Sequence, residues 1–104
     1  LVEVKSVTLV KEGRALFPDA PTARGRKHIA NLVRALDQGM RAAVVFVVQR
    51  SDAHDFSPNV ATDPDFATAL ICAAEAGVDV YAYGCSVSPE EVAICCELPV
   101  ELQR

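Results

Sequence analysis

Residues 42–49 read Ala-Ala-Val-Val-Phe-Val-Val-Gln, a continuous apolar run of strand length. Val44, Val45, Val47 and Val48 are β-branched, stiff at χ1, and favour extended backbone over helix. Polar residues do not alternate with apolar ones here. Both faces of such a strand must be covered, which is the pattern of a central strand in a parallel or mixed sheet. A parallel neighbour in turn requires a crossover connection, usually a helix. The rest of the chain is constrained by that demand.

The flanking segments meet it. Thr22 is placed to cap a helix over residues 23–38, because its hydroxyl can accept from a first-turn amide. Ile29, Leu32, Val33 and Leu36 recur at i, i+3, i+4, i+7 and form its apolar stripe. Gly25 lies near that face one turn earlier and costs helix stability of about 1 kcal/mol, which close backbone packing would offset. Gly39 is the stop. Asp63-Pro64-Asp65 is an N-cap followed by proline and an acid in the first turn. It predicts a second helix to about residue 76, with Phe66, Ala69, Leu70 and Ala73 facing inward and Gly77 capping it. Residues 1–10 form a first strand, 11–14 a turn and 15–17 a short extended piece; residues 50–62 form a polar loop. Strands follow over 78–83 and 92–96, separated by the turn Ser88-Pro89-Glu90-Glu91, and residues 98–102 are extended. The expected order is β-α-β-α-β-β: an α/β fold with a mixed β-sheet flanked by helices. No Gly-x-Gly-x-x-Gly or Walker loop supports nucleotide binding.

At 104 residues the chain suffices for one domain with one core. Its 10 basic and 14 acidic residues give a net charge of −4. That argues against a protein that coats nucleic acid generally and leaves room for a local basic patch. No apolar run approaches the roughly 20 residues of a membrane span. The opening residues do not read as a secretory leader, and a cytoplasmic location is expected. Because the chain opens on Leu1 inside a strand, it is expected to be a piece of a longer polypeptide. Cys72, Cys85, Cys95 and Cys96 have no zinc-ligand spacing. They are expected to be reduced thiols, with Cys72 and Cys95 buried as small hydrophobes.

The chemistry begins in the first strand. Glu3 and Lys5 are two apart and share one strand face, while Val2 and Val4 share the other, which is expected to be buried. A carboxylate beside an ammonium on a rigid strand is what metal-assisted phosphodiester cleavage uses. The acid holds a divalent cation, and the lysine orients water and offsets developing charge. The same pair is also common as a solvated ion pair of little energetic worth. Gln49-Arg50 ends the central strand at its carboxyl side, where α/β sheets form sites. Arg24, Arg26, Lys27 and His28 cluster at the start of the first helix, with Arg14 upstream. Arg24 and His28 lie on one flank of the apolar stripe, a placement suited to phosphate contact. A solvated face is the alternative for the cluster, and a packed histidine for His28. Pro18-Asp19 follows the Glu-x-Lys strand rather than preceding it, so Asp19 is expected to shape the turn.

Several of these segments together resemble the sugar fermentation stimulation protein A family, in its carboxyl-terminal part. They are Val2-Glu3-Val4-Lys5-Ser6-Val7-Thr8-Leu9, Phe17-Pro18-Asp19-Ala20-Pro21-Thr22-Ala23-Arg24-Gly25-Arg26-Lys27-His28, Val48-Gln49-Arg50, Phe56-Ser57-Pro58, Asp63-Pro64 and Leu98-Pro99-Val100. The resemblance implies a restriction-endonuclease-like PD-(D/E)XK domain, truncated at its amino end, with residues 1–104 as a single domain and an OB-like amino-terminal domain outside the chain. It implies non-specific DNA binding by a protein that regulates sugar (maltose) metabolism. Carried over, Glu3 and Lys5 match the Glu-x-Lys half-site, with Glu3 as metal ligand, and Gln49 is the polar residue of the following core strand. The alternative function is a metal-dependent DNA endonuclease that uses Mg²⁺ or Mn²⁺ and an Asp lying outside this chain. Arg24, Arg26, Lys27, His28 and Arg50 are the candidate nucleic-acid contacts.

Overall fold

A computed structural model describes residues 1–102. In chain order the elements are β1 (Val2–Val7), β2 (Leu9–Lys11), β3 (Arg14–Phe17), α1 (Ala23–Asp37), β4 (Ala43–Val48), β5 (Asp55–Pro58), α2 (Pro64–Ala76), β6 (Asp79–Val87) and β7 (Val92–Leu98). Four strands form one sheet in the order β1-β4-β6-β7, and three form a second in the order β2-β3-β5. The run that dominates the sequence is β4, central in the sheet, parallel to β1 on one side and to β6 on the other. Val44, Phe46 and Val48 are buried but Val45 and Val47 only half-buried, so the expected cover on both faces is met on one. β7 returns antiparallel to β6.

Both helices fold as their caps dictate. Thr22 Oγ1 accepts from Gly25 N at 2.9 Å, and Asp63 Oδ1 accepts from Phe66 N at 2.9 Å. Both stop at a glycine with positive φ, 80° at Gly39 and 117° at Gly77. At the first stop, Met40 N donates to Ala35 O and Gly39 N to Leu36 O. At the second, Val78 N donates to Ala73 O and Gly77 N to Ala74 O, the same Schellman pattern. A Cβ on Gly25 would sit 2.7 Å from Thr22 Cγ2 and 3.3 Å from Phe66 Cε2, so its absence lets the start of α1 close onto α2.

The crossovers β1 to β4 and β4 to β6 advance across the sheet in one direction. Right-handed connections then place both helices on the same side. That side holds the core: Val7, Val44, Phe46, Val48 and Ala82 from the sheet, Ile29 and Leu32 from α1, Phe66 and Leu70 from α2. Phe46 stacks on Phe56 with centroids 4.3 Å apart, and Phe17 meets Phe46 and Phe66 at 5.5 and 5.3 Å. These rings join the second sheet to the first.

The structure departs from the sequence expectation in several further places, beginning with the last two strands, which run on to Val87 and Leu98 rather than ending at 83 and 96. The opening strand is two strands: it leaves β4 after Val7 and resumes at Leu9 to pair with β3. The polar loop after β4 contains β5, which pairs parallel with β3 and buries Phe56. The valine face of β1 is not buried: Val2 is 60% and Val4 61% exposed, because no helix lies on that side. Cys72 and Cys95 are exposed rather than buried, and Cys85 is the buried thiol; all four cysteines are free. Among the described residues no helix is long and apolar enough to cross a membrane.

Candidate functional site

β1 is an edge strand of the four-stranded sheet, and alternation sends Glu3 and Lys5 to the helix-bearing side. Glu3 lies beside Val44 and Lys5 beside Phe46 in the parallel register. Apolar neighbours thus flank both polar side chains, which are half-buried. α1 crosses above them and is anchored by buried Ile29 and Leu32. Its flank delivers His28 to the pair. Lys5 Nζ lies 2.5 Å from His28 Nδ1, and that nitrogen lies 3.9 Å from Glu3 Oε2. An ammonium has only donors, so Nδ1 accepts from Lys5 and the ring proton sits on Nε2. Glu3, Lys5 and His28 therefore form one cluster at the open edge of the sheet. By sequence the histidine groups with the arginines; its place on the flank of the stripe, next to Ile29 and four residues before Leu32, is the signal for its inward reach.

Gln49 and Arg50 lie apart from this cluster. Gln49 continues the alternation of Val45 and Val47, and its Nε2 donates to Ser6 Oγ at 2.7 Å, on the side of the sheet opposite Glu3 and Lys5. Arg50 closes on Asp52 in a two-pronged pair at 2.9 and 2.6 Å. Two other arginines are likewise engaged. Arg14 makes a bidentate pair with Asp55 at 3.1 and 2.9 Å, which raises its already high affinity for the proton. Arg26 reaches Asp65 at 3.2 Å. Arg24 and Lys27 are exposed and make no ion pair among the described residues. The first turn of α1 carries no acid, so these two cations add to the positive end of the helix dipole. Asp19 is exposed in the bend before α1.

Asp63 holds the two helix starts in place. One carboxylate oxygen caps its own helix at Phe66 N, and the other accepts from Thr22 N at 2.8 Å. The Thr22 amide first, and the Phe66 amide second, hold the buried carboxyl below the usual aspartate range. Beneath it, buried Asn59 donates to Pro18 O at 3.0 Å. The Phe17-Pro18-Asp19-Ala20 bend and the start of α1 are thus fixed to the start of α2. Sequence identifies Asp63 as a cap for one helix; its second bond, to Thr22, depends on the tertiary fold.

A divalent cation is the group that a Glu-x-Lys site invites. Among the described residues no set of three or more His, Cys, Asp or Glu side chains gathers to hold one. Mg²⁺ demands near-octahedral oxygen ligation, which Glu3 alone does not provide. The donor set present does not fit a cation without further acidic ligands.

Comparison with known proteins gives one consistent result. A family model described as the sugar fermentation stimulation protein RE domain matches residues 1–91. Sugar fermentation stimulation protein homologs of Desulforamulus reducens and Moorella thermoacetica are 54% and 52% identical to this chain. Each match covers 97% of this chain, and 42% and 44% of the respective relatives. The solved structure of Pyrococcus furiosus SfsA in complex with Ca²⁺ is similar with a TM-score of 0.91 and 37% identity, over 96% of this chain and 44% of that one. The chain thus spans less than half the length of the relatives it matches.

Proposed function

We propose phosphate-directed DNA binding for this chain, which belongs to the sugar fermentation stimulation protein family. One observation carries the reading: Arg24 and Lys27 stand exposed and without an ion-pair partner among the described residues, in the first turns of α1 beside the Glu3–Lys5–His28 cluster. Cations spent on neighbouring carboxylates, as at Arg14, Arg26 and Arg50, have less to offer a phosphate. With a net charge of −4, attraction to a polyanion has to come from a local patch such as this one. Binding should be weak, sequence-tolerant and steeply dependent on salt. We read the α/β fold as a PD-(D/E)XK nuclease-like domain on the strength of Glu3 and Lys5 on one face of β1. In this reading the rest of the polypeptide includes an OB-like domain, the location is cytoplasmic, and the role is regulation of sugar metabolism.

The test is fluorescence anisotropy with duplex DNA across a salt series, in a polypeptide of the relatives' full length. Replacing Arg24 and Lys27 together by Ala is expected to weaken binding and lower the log–log salt slope by about 2. An unchanged slope would remove these residues from the interface.

Metal-dependent endonuclease activity is the second reading, favoured by Glu3 beside Lys5 and by the kinship with a protein solved in complex with Ca²⁺. It requires further acidic ligands from outside the described residues. Nicking of supercoiled DNA by the full-length polypeptide with Mn²⁺ is then expected to disappear in EDTA and in Glu3→Gln. Nicking that survives both belongs to something else.

A further inference from the structure

We infer that His28 is a positioning residue for Lys5: its Nδ1 accepts from the lysine ammonium and fixes where that charge sits relative to Glu3. This rests, for its catalytic consequence, on the endonuclease reading. The contact itself stands on geometry.

A lysine side chain has many rotamers, and one on an edge strand ordinarily loses definition to solvent. Lys5 has three neighbours on its side of the sheet, and its one hydrogen-bond partner there among the described residues is His28. Phe46 lies beside it in the sheet register, Glu3 lies two residues before it on the same face, and His28 Nδ1 is 2.5 Å from its Nζ. The histidine is itself fixed by a rigid element. α1 is capped at Thr22, tied to Asp63, and buries Ile29 next to His28 and Leu32 one turn on. His28 thus links the rigidity of the core helix to the cation of the cluster. Its Nδ1 stands 3.9 Å from Glu3 Oε2, too far for a hydrogen bond, so the bond it makes is to the lysine. A group that stabilises developing charge on a phosphate is effective only if its position is set before the reaction. Histidine suits this place because a neutral ring offers an acceptor at Nδ1 and keeps a donor at Nε2.

The test has two arms, both in the full-length polypeptide. In the first, long-range ¹H–¹⁵N spectra at pH 8 follow the His28 nitrogens in wild type and in Lys5→Met. The unprotonated Nδ1 resonance is expected to shift when its donor is removed. An unmoved resonance, or a proton found on Nδ1, overturns the contact. In the second arm, single-turnover cleavage with Mn²⁺, at enzyme concentrations that saturate the DNA for each variant, is expected to fall about tenfold or more in His28→Ala. His28→Asn, whose amide oxygen takes the place of Nδ1, is expected to recover most of that loss, which a purely structural role would not explain. Equal cleavage by wild type and His28→Ala, or no recovery in the Asn variant, overturns the positioning role. If wild type does not cleave at all, the endonuclease reading fails, and the spectra alone decide whether His28 holds Lys5.

Discussion

On the helix-bearing side of the four-stranded sheet, Val44, Phe46, Val48 and Ala82 are sealed from solvent; on the other side, Val2, Val4 and Tyr81 lie in the open. The residue types differ little. What differs is topology: two right-handed crossovers that advance in one direction put both helices on one side. An alternating strand such as β1 therefore announces that it has two faces without saying which is covered. Its polar pair, Glu3 and Lys5, lies on the covered side at the sheet's edge, and its valines lie on the bare one. A charge-bearing pair has thereby been placed within reach of a helix, which is why His28 can touch it.

The largest effect that separates the two faces is expected from Phe46→Ala. It removes a fully buried ring from the stack with Phe56 and from contact with Phe17. A loss of about 3–5 kcal/mol should appear as a lower urea midpoint. A loss below about 1 kcal/mol would mean that the covered side is not the core.

Asp63→Ala should act next in size, by detaching both helix starts from one another. A fall of several degrees in melting temperature is expected near neutral pH. The sign with pH follows from the depressed carboxyl. Its contribution is fully present above the ordinary aspartate range and disappears as pH falls through the lower folded value. Melting curves of wild type and variant should therefore converge in acid; a gap that widens there would refute the amide-to-carboxylate account.

The smallest effect is expected from Val4→Thr on the bare face, within about 0.5 kcal/mol in chemical denaturation of the 104-residue chain. A much larger loss would show that this side is packed and would erase the contrast.

The elements legible in the sequence are those specified locally. Thr22 and Asp63 as caps, Gly39 and Gly77 as stops, and the valine run of β4 each act within a few residues, and the structure has them so. What stays concealed is non-local. Nothing at Thr8 marks the point where the chain leaves one sheet for another. β5 has a single large apolar residue, Phe56, and exists because β3 offers it an edge. Glu3, Lys5 and His28 are each legible as candidates, but their meeting depends on how α1 is rotated over the sheet. Gln49 sits one residue past β4, and only the register shows that it shares a side with Ser6 and not with Lys5.

The parallel pairings have a consequence in time. Arg14 meets Asp55, Thr22 meets Asp63 and Pro18 meets Asn59 across separations of 41 residues each. No hairpin can template such meetings, and the entropy of closing each long loop must be spent before its contacts give anything back. Of the large sheet, only β6 and β7 are joined by a short turn. Refolding from denaturant should accordingly be a matter of milliseconds to seconds rather than microseconds. Until the two crossovers close, the valine strands β1 and β4 are unpaired edges, and the polypeptide is most exposed to self-association during that interval.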